Sequence, residues 1–232
     1  MSASVGAPVV AGARWDPPAA IAVRGTVLLL PGRGEHAGVY DRFGRRLAAD
    51  GYAVRSASPD TVAAVAEDAV PPLVLAGSDI GALHALSGAA AVPAAGVIAV
   101  GVPWEPPAAA GGLAWEAELD ARSACPTHRS RLEADGGFER GALTGPVPEA
   151  LLEEVHPAAV AVPVLLVHGE ADPIAPVRGA RTLAAALPRA ELATVRDGRH
   201  DALNDVNHRT VAAHIVQWLE RLRAGGPILT VR

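Results

Sequence analysis

Three short stretches of this 232-residue chain carry the side chains best suited to chemistry. In the first, Val74-Leu75-Ala76-Gly77-Ser78-Asp79-Ile80-Gly81-Ala82, an apolar run stops at Gly77 and resumes as the helical-looking Ala82-Leu83-His84-Ala85-Leu86. The pattern predicts a strand turning sharply into a helix, with Gly77 and Gly81 set symmetrically about Asp79. Small residues at those flanks let the two backbones nearly touch and lift the central side chain to the apex. Moving the apex to Ser78 would put Ile80 on a flank, where a β-branched residue does not fit. A carboxylate at such a bend is already ionised at neutral pH, because its reference pKa is about 3.9. It can therefore attack without a base. Ser and Asp are also favoured helix N-caps, and on these residues alone that reading has equal weight.

The second stretch is Val167-His168-Gly169-Glu170-Ala171-Asp172-Pro173-Ile174-Ala175-Pro176, and the third is Gly198-Arg199-His200-Asp201-Ala202-Leu203-Asn204-Asp205. Histidine takes up a proton near neutral pH, and a buried carboxylate can fix its tautomer and steady its positive charge. Taken singly, Asp172 before Pro173 reads as a turn residue and His200 as a coin-toss between packing and chemistry. His168 is expected to support a strand end, and His36, His84, His208 and His214 to be surface or packing residues. No His/Cys/Asp spacing suggests a metal site, and Gly32-x-Gly34 is too sparse for a phosphate loop. No cofactor is expected.

The elements that must position these residues alternate along the chain. Weak strand candidates at Val9–Ala13 and Ile21–Val23 precede a strong buried strand, Thr26-Val27-Leu28-Leu29-Leu30, which Pro31-Gly32 stops. A helix is predicted from about Val39 to Asp50, a strand over Ala53–Ala57, a short helix within Asp60–Ala69, and then the strand into Asp79. Its helix runs to about Ala91, and Gly96–Val100 is another strand. From Pro103 to Pro157 the pattern dissolves among prolines and glycines, with short helical pieces such as Leu113–Ser123. Alternation resumes with a strand at Val164–Val167, a helix near Val177–Leu187, a strand at Glu191–Val195 and a last helix from about Asn207 to Arg223. This predicts an α/β fold with a mostly parallel sheet flanked by helices. Residues 1–103 and 157–232 would form the core, and 104–156 a small inserted lid.

Half the residues are hydrophobic, enough for a sizeable core in one domain. The net charge of −5 argues against a nucleic-acid groove. No stretch reads as a membrane-surface helix or span, and Met1–Pro18 shows no basic, then apolar, leader pattern. The single cysteine, Cys125, rules out an internal disulfide framework and fits a reducing cytosol. A cytoplasmic protein acting on a small-molecule substrate is expected, with its oligomeric state left open.

Together with Leu30-Pro31-Gly32-Arg33-Gly34-Glu35-His36-Ala37-Gly38-Val39-Tyr40, the three stretches resemble the monoacylglycerol-lipase and lysophospholipase branch of the α/β hydrolases. The likeness covers most of the chain outside the insert, in the family's order of nucleophile, acid and histidine. It implies that Asp79 occupies the nucleophile elbow, Asp172 the acid position and His200 the base position. The backbone N–H groups of Ile80 and Arg33 would then form the oxyanion hole. The loop departs from the family, which usually has His-Gly where this chain has Pro31-Gly32. The segment from Ala57 to the elbow is also short. Glu35-His36 resembles a structural signature of the branch.

An aspartate at this point resembles the epoxide-hydrolase and haloalkane-dehalogenase branches of the same fold. There a carboxylate attacks an sp³ carbon, and water hydrolyses the resulting alkyl ester. Those enzymes polarise the leaving oxygen with lid tyrosines, or cradle the halide with a Trp beside the nucleophile. Here the tyrosines are Tyr40 and Tyr52, and the neighbour is Ile80. Tyr40, Trp104 and Trp115 are the candidates to line a substrate pocket, and His128 and His156 are further lid donors. The primary reading is hydrolysis through an aspartyl ester, most simply of an epoxide. One alternative is an esterase or lactonase using Asp79 as a base. The other is a non-hydrolytic protein that binds, rearranges or cyclises its ligand.

Overall fold

The computed structural model describes residues 12–105 and 112–229. Seven strands form one sheet: β1 (Arg14–Trp15), β2 (Gly25–Leu30), β3 (Tyr52–Ser56), β4 (Leu73–Ser78), β5 (Ala94–Val100), β6 (Val164–Gly169) and β7 (Ala190–Val195). Their order is β1-β3-β2-β4-β5-β6-β7, and every neighbouring pair is parallel except β1 with β3. The strands β2, β4 and β6 are buried along their whole lengths. A parallel sheet covered on both faces requires this, and it explains why these segments read as continuous apolar runs.

Alternate residues feed two cores. Val27, Leu29, Val74, Ile98 and Leu165 point to one face, against α1 (Asp41–Ala49) and α8 (His208–Ala224), through Phe43, Leu47, Ile215 and Trp218. Leu28, Leu30, Leu75, Val97 and Leu166 point to the other, against α2 (Val62–Ala66), α3 (Ile80–Gly88) and α7 (Val177–Ala186). Full burial of one such Leu contributes roughly 1.5–3 kcal/mol.

Two weak expectations come out differently. Ile21 and Val23 lie outside any strand, 37% and 40% exposed. They have no strand beside them to satisfy a ladder. Part of the Val9–Ala13 candidate lies outside the described residues. The antiparallel edge strand sits just beyond it at Arg14–Trp15, where the Ser56 N–H donates to the Ala13 carbonyl.

The insert carries α4 (Trp115–Arg122), α5 (Pro126–Ala134) and α6 (Glu149–Glu154). It is stitched to the body of the fold: Leu119, Leu132 and Phe138 join one core, and Leu151 and Val155 the other. The sheet positions the site through one reversal of winding. The chain steps from β2 to β3 on one side, then returns to place β4 on the other, so β2 and β4 are neighbours whose following loops diverge. The crevice at such a switch point is where open parallel sheets bind ligands.

Candidate active site

Asp79 stands between β4 and α3 with φ 52° and ψ −125°, a left-handed backbone conformation that a non-glycine residue adopts at a cost of about 1–3 kcal/mol. Its neighbours make the bend possible. A Cβ on Gly77 would strike the Gly81 carbonyl, and one on Gly81 would strike the Leu30 carbonyl. The Asp79 side chain makes no cap bond to α3, so the helix-cap reading fails and the apex reading describes the geometry. Ser78 stays in the strand, 1% exposed and paired in register with Val100.

Asp79 is 1% exposed, and both carboxylate oxygens are engaged. Oδ2 accepts from the Arg33 backbone N–H at 2.9 Å and from Arg33 Nε at 2.7 Å. Oδ1 accepts from Arg33 Nη2 at 2.8 Å and faces His200 Nε2 at 3.4 Å. The pairing with Leu30 opposite Gly77 in adjacent strands explains why the Arg33 loop and Asp79 meet. Ile80, the first residue of α3, has no intrahelical partner for its N–H.

His200 follows β7 on a loop held by α4: its N–H donates to the Ala121 carbonyl, and that of Asp201 donates to the Arg122 carbonyl. Its Nδ1 lies 2.8 Å from Asp172 Oδ2. The other Asp172 oxygen accepts from the N–H groups of Ile174 and Ala175, at 2.8 and 2.9 Å. Asp172 is thus both a turn residue and the partner of His200. His168 donates from Nε2 to the Ala175 carbonyl at 2.6 Å, bracing the same turn. His200 Nε2 has no hydrogen-bond partner, since at 3.4 Å its approach to Asp79 is an electrostatic contact.

These contacts set the protonation states. Burial alone would raise the Asp79 carboxyl, but the contacts of His200 and Arg33 outweigh it and hold it far below the usual carboxylate range. Asp172 likewise resists burial because the charge of His200 and the bonds from His168 and His200 hold it low. Burial would lower His200, yet Asp172 first and then Asp79 raise it to about 10. At neutral pH the site therefore holds two carboxylates and two cations, with His200 as an imidazolium.

The structure brings together Asp79, His200, Asp172 and the Arg33 N–H. It does not bring Tyr40 with them. Tyr40 is fully buried, because its hydroxyl donates to Glu35 Oε2 and accepts from the Gly32 N–H. Trp115 packs against Phe138 with ring centres 5.7 Å apart and the rings tilted by 51°, and the Arg140 guanidinium lies over its ring. Trp104 is half-buried against the core on the α3 face of the sheet. His128 is buried beside Asp201, and His156 is exposed at the start of a 3-10 turn. Sequence reasoning missed the side chain of Arg33, expected only as a backbone donor, and the role of α4. The signal for the first was an arginine two residues after Pro31, facing the only acid at the bend.

Among the described residues no group of three or more His, Cys, Asp or Glu side chains could hold a metal ion, and no helix is long and apolar enough to cross a membrane.

A family model described as TAP-like protein matches residues 143–225. No curated protein matches the sequence significantly. The monoacylglycerol lipase of Paleococcus ferrophilus is 20% identical and superposes with a TM-score of 0.74, over 89% of this chain and 96% of that one. A soluble variant of the monoglyceride lipase of Saccharomyces cerevisiae, solved with a substrate analogue, is 17% identical with a TM-score of 0.74, over 90% of each chain. A thermophilic esterase from Thermogutta terrifontis is 18% identical with a TM-score of 0.61, over 91% and 93%. At these identities the likeness is one of fold. The chain has the α/β-hydrolase fold, a mostly parallel seven-stranded sheet flanked by helices.

Proposed function

We propose that this protein is a hydrolase that acts on a small organic substrate through an ester on Asp79, with an epoxide as the simplest substrate. One observation carries the reading. The two oxygens of Asp79 are differentiated: Oδ2 sits on the Arg33 backbone N–H, while Oδ1 faces His200 Nε2. A carboxylate nucleophile needs this division, one oxygen to attack and one to become the oxyanion when water later adds.

In the first step Oδ1 attacks a ring carbon, the C–O bond breaks with its electron pair on oxygen, and an alkyl ester forms. The opened oxygen lies on the adjacent carbon and takes its proton from the His200 imidazolium beside Oδ1. His200 is then neutral. The ester carries no charge, so one of the two carboxylates that held the imidazole proton has gone, and His200 becomes a usable base. It takes a proton from water, which attacks the Asp79 carbonyl carbon while Oδ2 rests on the N–H groups of Arg33 and Ile80. Collapse breaks the ester C–O bond, and the departing alkoxide takes the remaining hydrogen of the added water, which releases a diol, restores the Asp79 carboxylate and leaves His200 protonated.

Use of Asp79 as a base in direct ester hydrolysis is the weaker reading, because a carboxylate held this far below its ordinary range is a poor proton acceptor. The non-hydrolytic reading has one observation in its favour: the Arg33 side chain covers both oxygens of Asp79. The test is intact-mass spectrometry of wild type, acid-quenched during turnover of an epoxide panel. The expected result is an adduct on Asp79 equal to the whole epoxide mass. In wild type, turnover in ¹⁸O water should put label into the Asp79 carboxylate. Turnover of an ester without label would support the base reading, and binding with neither adduct nor turnover would support the non-hydrolytic one.

A further inference from the structure

The side chain of Arg33 is 10% exposed, and the aspartyl-ester reading gives its charge nowhere to go. Its Nε and Nη2 both bond Asp79, and Nη1 donates to the Gly145 carbonyl at 2.5 Å. For Oδ1 to reach a carbon atom the Nη2 bond must open, and once the ester forms Asp79 is neutral. The guanidinium then remains buried without its counter-ion, which proteins strongly disfavour. The neighbouring carboxylates are already committed. Glu35 receives Arg122, Tyr40 and the Gly32 N–H, and Asp201 receives Asn204 and faces His128. Asp172 is bonded to His200 and to its own turn. Among the described residues these neighbouring carboxylates leave no free anion to replace Asp79.

We propose that the substrate supplies the missing anion: Arg33 is a specificity-determining residue, and the preferred substrate is a short epoxide bearing a carboxylate beside the ring. The inference rests on the aspartyl-ester reading and names its substrate class. A guanidinium offers a planar fork of donors that matches a carboxylate in two parallel bonds. Before reaction that fork holds Asp79. As Oδ1 turns toward the ring carbon, the fork transfers to the substrate carboxylate, so the guanidinium keeps a bonded anion through the ester and its hydrolysis. The bond changes are those of the reading above, since the carboxylate is held and not transformed. Its distance from the reacting carbon is short, because Nη2 lies on the same oxygen that attacks.

The experiment uses the full chain and a matched pair of probes, oxirane-2-carboxylate and oxirane-2-carboxamide, which share the ring and differ in charge. Wild type is expected to favour the acid by about 100-fold in kcat/KM, the order of preference a buried charged donor imposes. In Arg33→Gln the ratio should fall to about 3 or less, and in Arg33→Lys, which keeps charge without the fork, to about 10. Propionate should compete with the acid in wild type while propionamide does not, a measurement that needs no variant to fold. A wild-type ratio near one, or a ratio retained in both variants, overturns the proposal. If acid-quenched wild type carries adduct from the amide as readily as from the acid, this inference falls and the aspartyl ester stands. If neither probe gives adduct or turnover, the aspartyl-ester reading falls and takes this one with it.

Discussion

Two buried charge clusters lie side by side at the carboxyl end of the sheet, and one loop gives a residue to each, Arg33 to the first and Glu35 to the second. One joins Arg33, Asp79, His200 and Asp172. The other joins Glu35, Tyr40, Glu118 and Arg122, all of them 2% exposed or less at the side chain or the residue. In the second, Arg122 uses all three of its nitrogens: Nε and Nη2 donate to Glu118, Nη1 to Glu35, and Nη2 again to the Arg33 carbonyl, with the guanidinium over the Phe138 ring. Burial raises Glu35, Arg122 pulls it back, and the backbone there is unstrained. In the first cluster Asp79 sits at a positive φ, His200 Nε2 has no hydrogen bond, and the Ile80 N–H is open at a helix start. Burial of charge is common to both. Strain and unmet valence are confined to one, and these mark where a substrate would be accommodated.

The comparison can be broken by substitution, and the largest effect should come from Asp79→Asn. Loss of the attacking oxygen should lower kcat/KM on any turned-over epoxide by at least about 10⁴-fold, equivalent to about 5.4 kcal/mol of transition-state stabilisation. The thermal midpoint should also fall, because Arg33 loses its buried counter-ion, but by less than the rate in free-energy terms. Retention of full activity by this variant would remove Asp79 from the chemistry.

Arg122→Ala should show the opposite balance. It leaves Glu35 and Glu118 buried without their cation, a change that costs about 3–5 kcal/mol in urea unfolding. A loss below about 1 kcal/mol would show that water or rearrangement replaces the guanidinium, and that the second cluster is not the brace described here.

Asp172→Asn sharpens the contrast within the first cluster. Asp172 is the largest favourable influence on the His200 proton, so the imidazole should titrate well below about 10, as followed by histidine NMR. An unchanged titration would mean that Asp79 alone holds the proton.

The smallest effect is on stability across pH. Native His200 binds its proton more tightly than the ordinary value of 6.5, so its contribution is complete below 6.5 and lost as pH rises toward about 10. Asp79 and Asp172 are shifted down, so their contributions are present above the ordinary 3.8 and lost as pH falls below it. Thermal melts should therefore show a plateau between roughly pH 4 and 6.5 with a decline on the alkaline side. In Asp79→Asn the decline should still begin near 6.5 but end at a lower pH and be smaller, because one of the charges holding the proton is gone. A flat alkaline limb in wild type would contradict the assigned imidazolium.

Much of this was legible in the chain. Leu28-Leu29-Leu30, Val74-Leu75 and Val164-Leu165-Leu166 announce buried parallel strands because both of their faces must be apolar, and the structure places them at β2, β4 and β6. Gly77 and Gly81 announce the bend because no larger residue fits where the backbones touch. The aromatic residues were less readable. Tyr40 looks like a pocket residue in a sequence with two tyrosines, yet its hydroxyl is bound to Glu35, five residues earlier. Nothing local distinguishes a tyrosine that faces a ligand from one that faces an acid.

The sequence alone determined the alternation of strands and helices, the tight bend and the identity of the acid standing at it, because backbone sterics and apolar periodicity act over a few residues. Only the tertiary structure decided that the guanidinium of Arg33, 46 residues away, closes over that acid, and that α4 of the insert grips the His200 loop. Ion pairing and burial depend on distances in space, and those follow from the order in which parallel strands lie in the sheet.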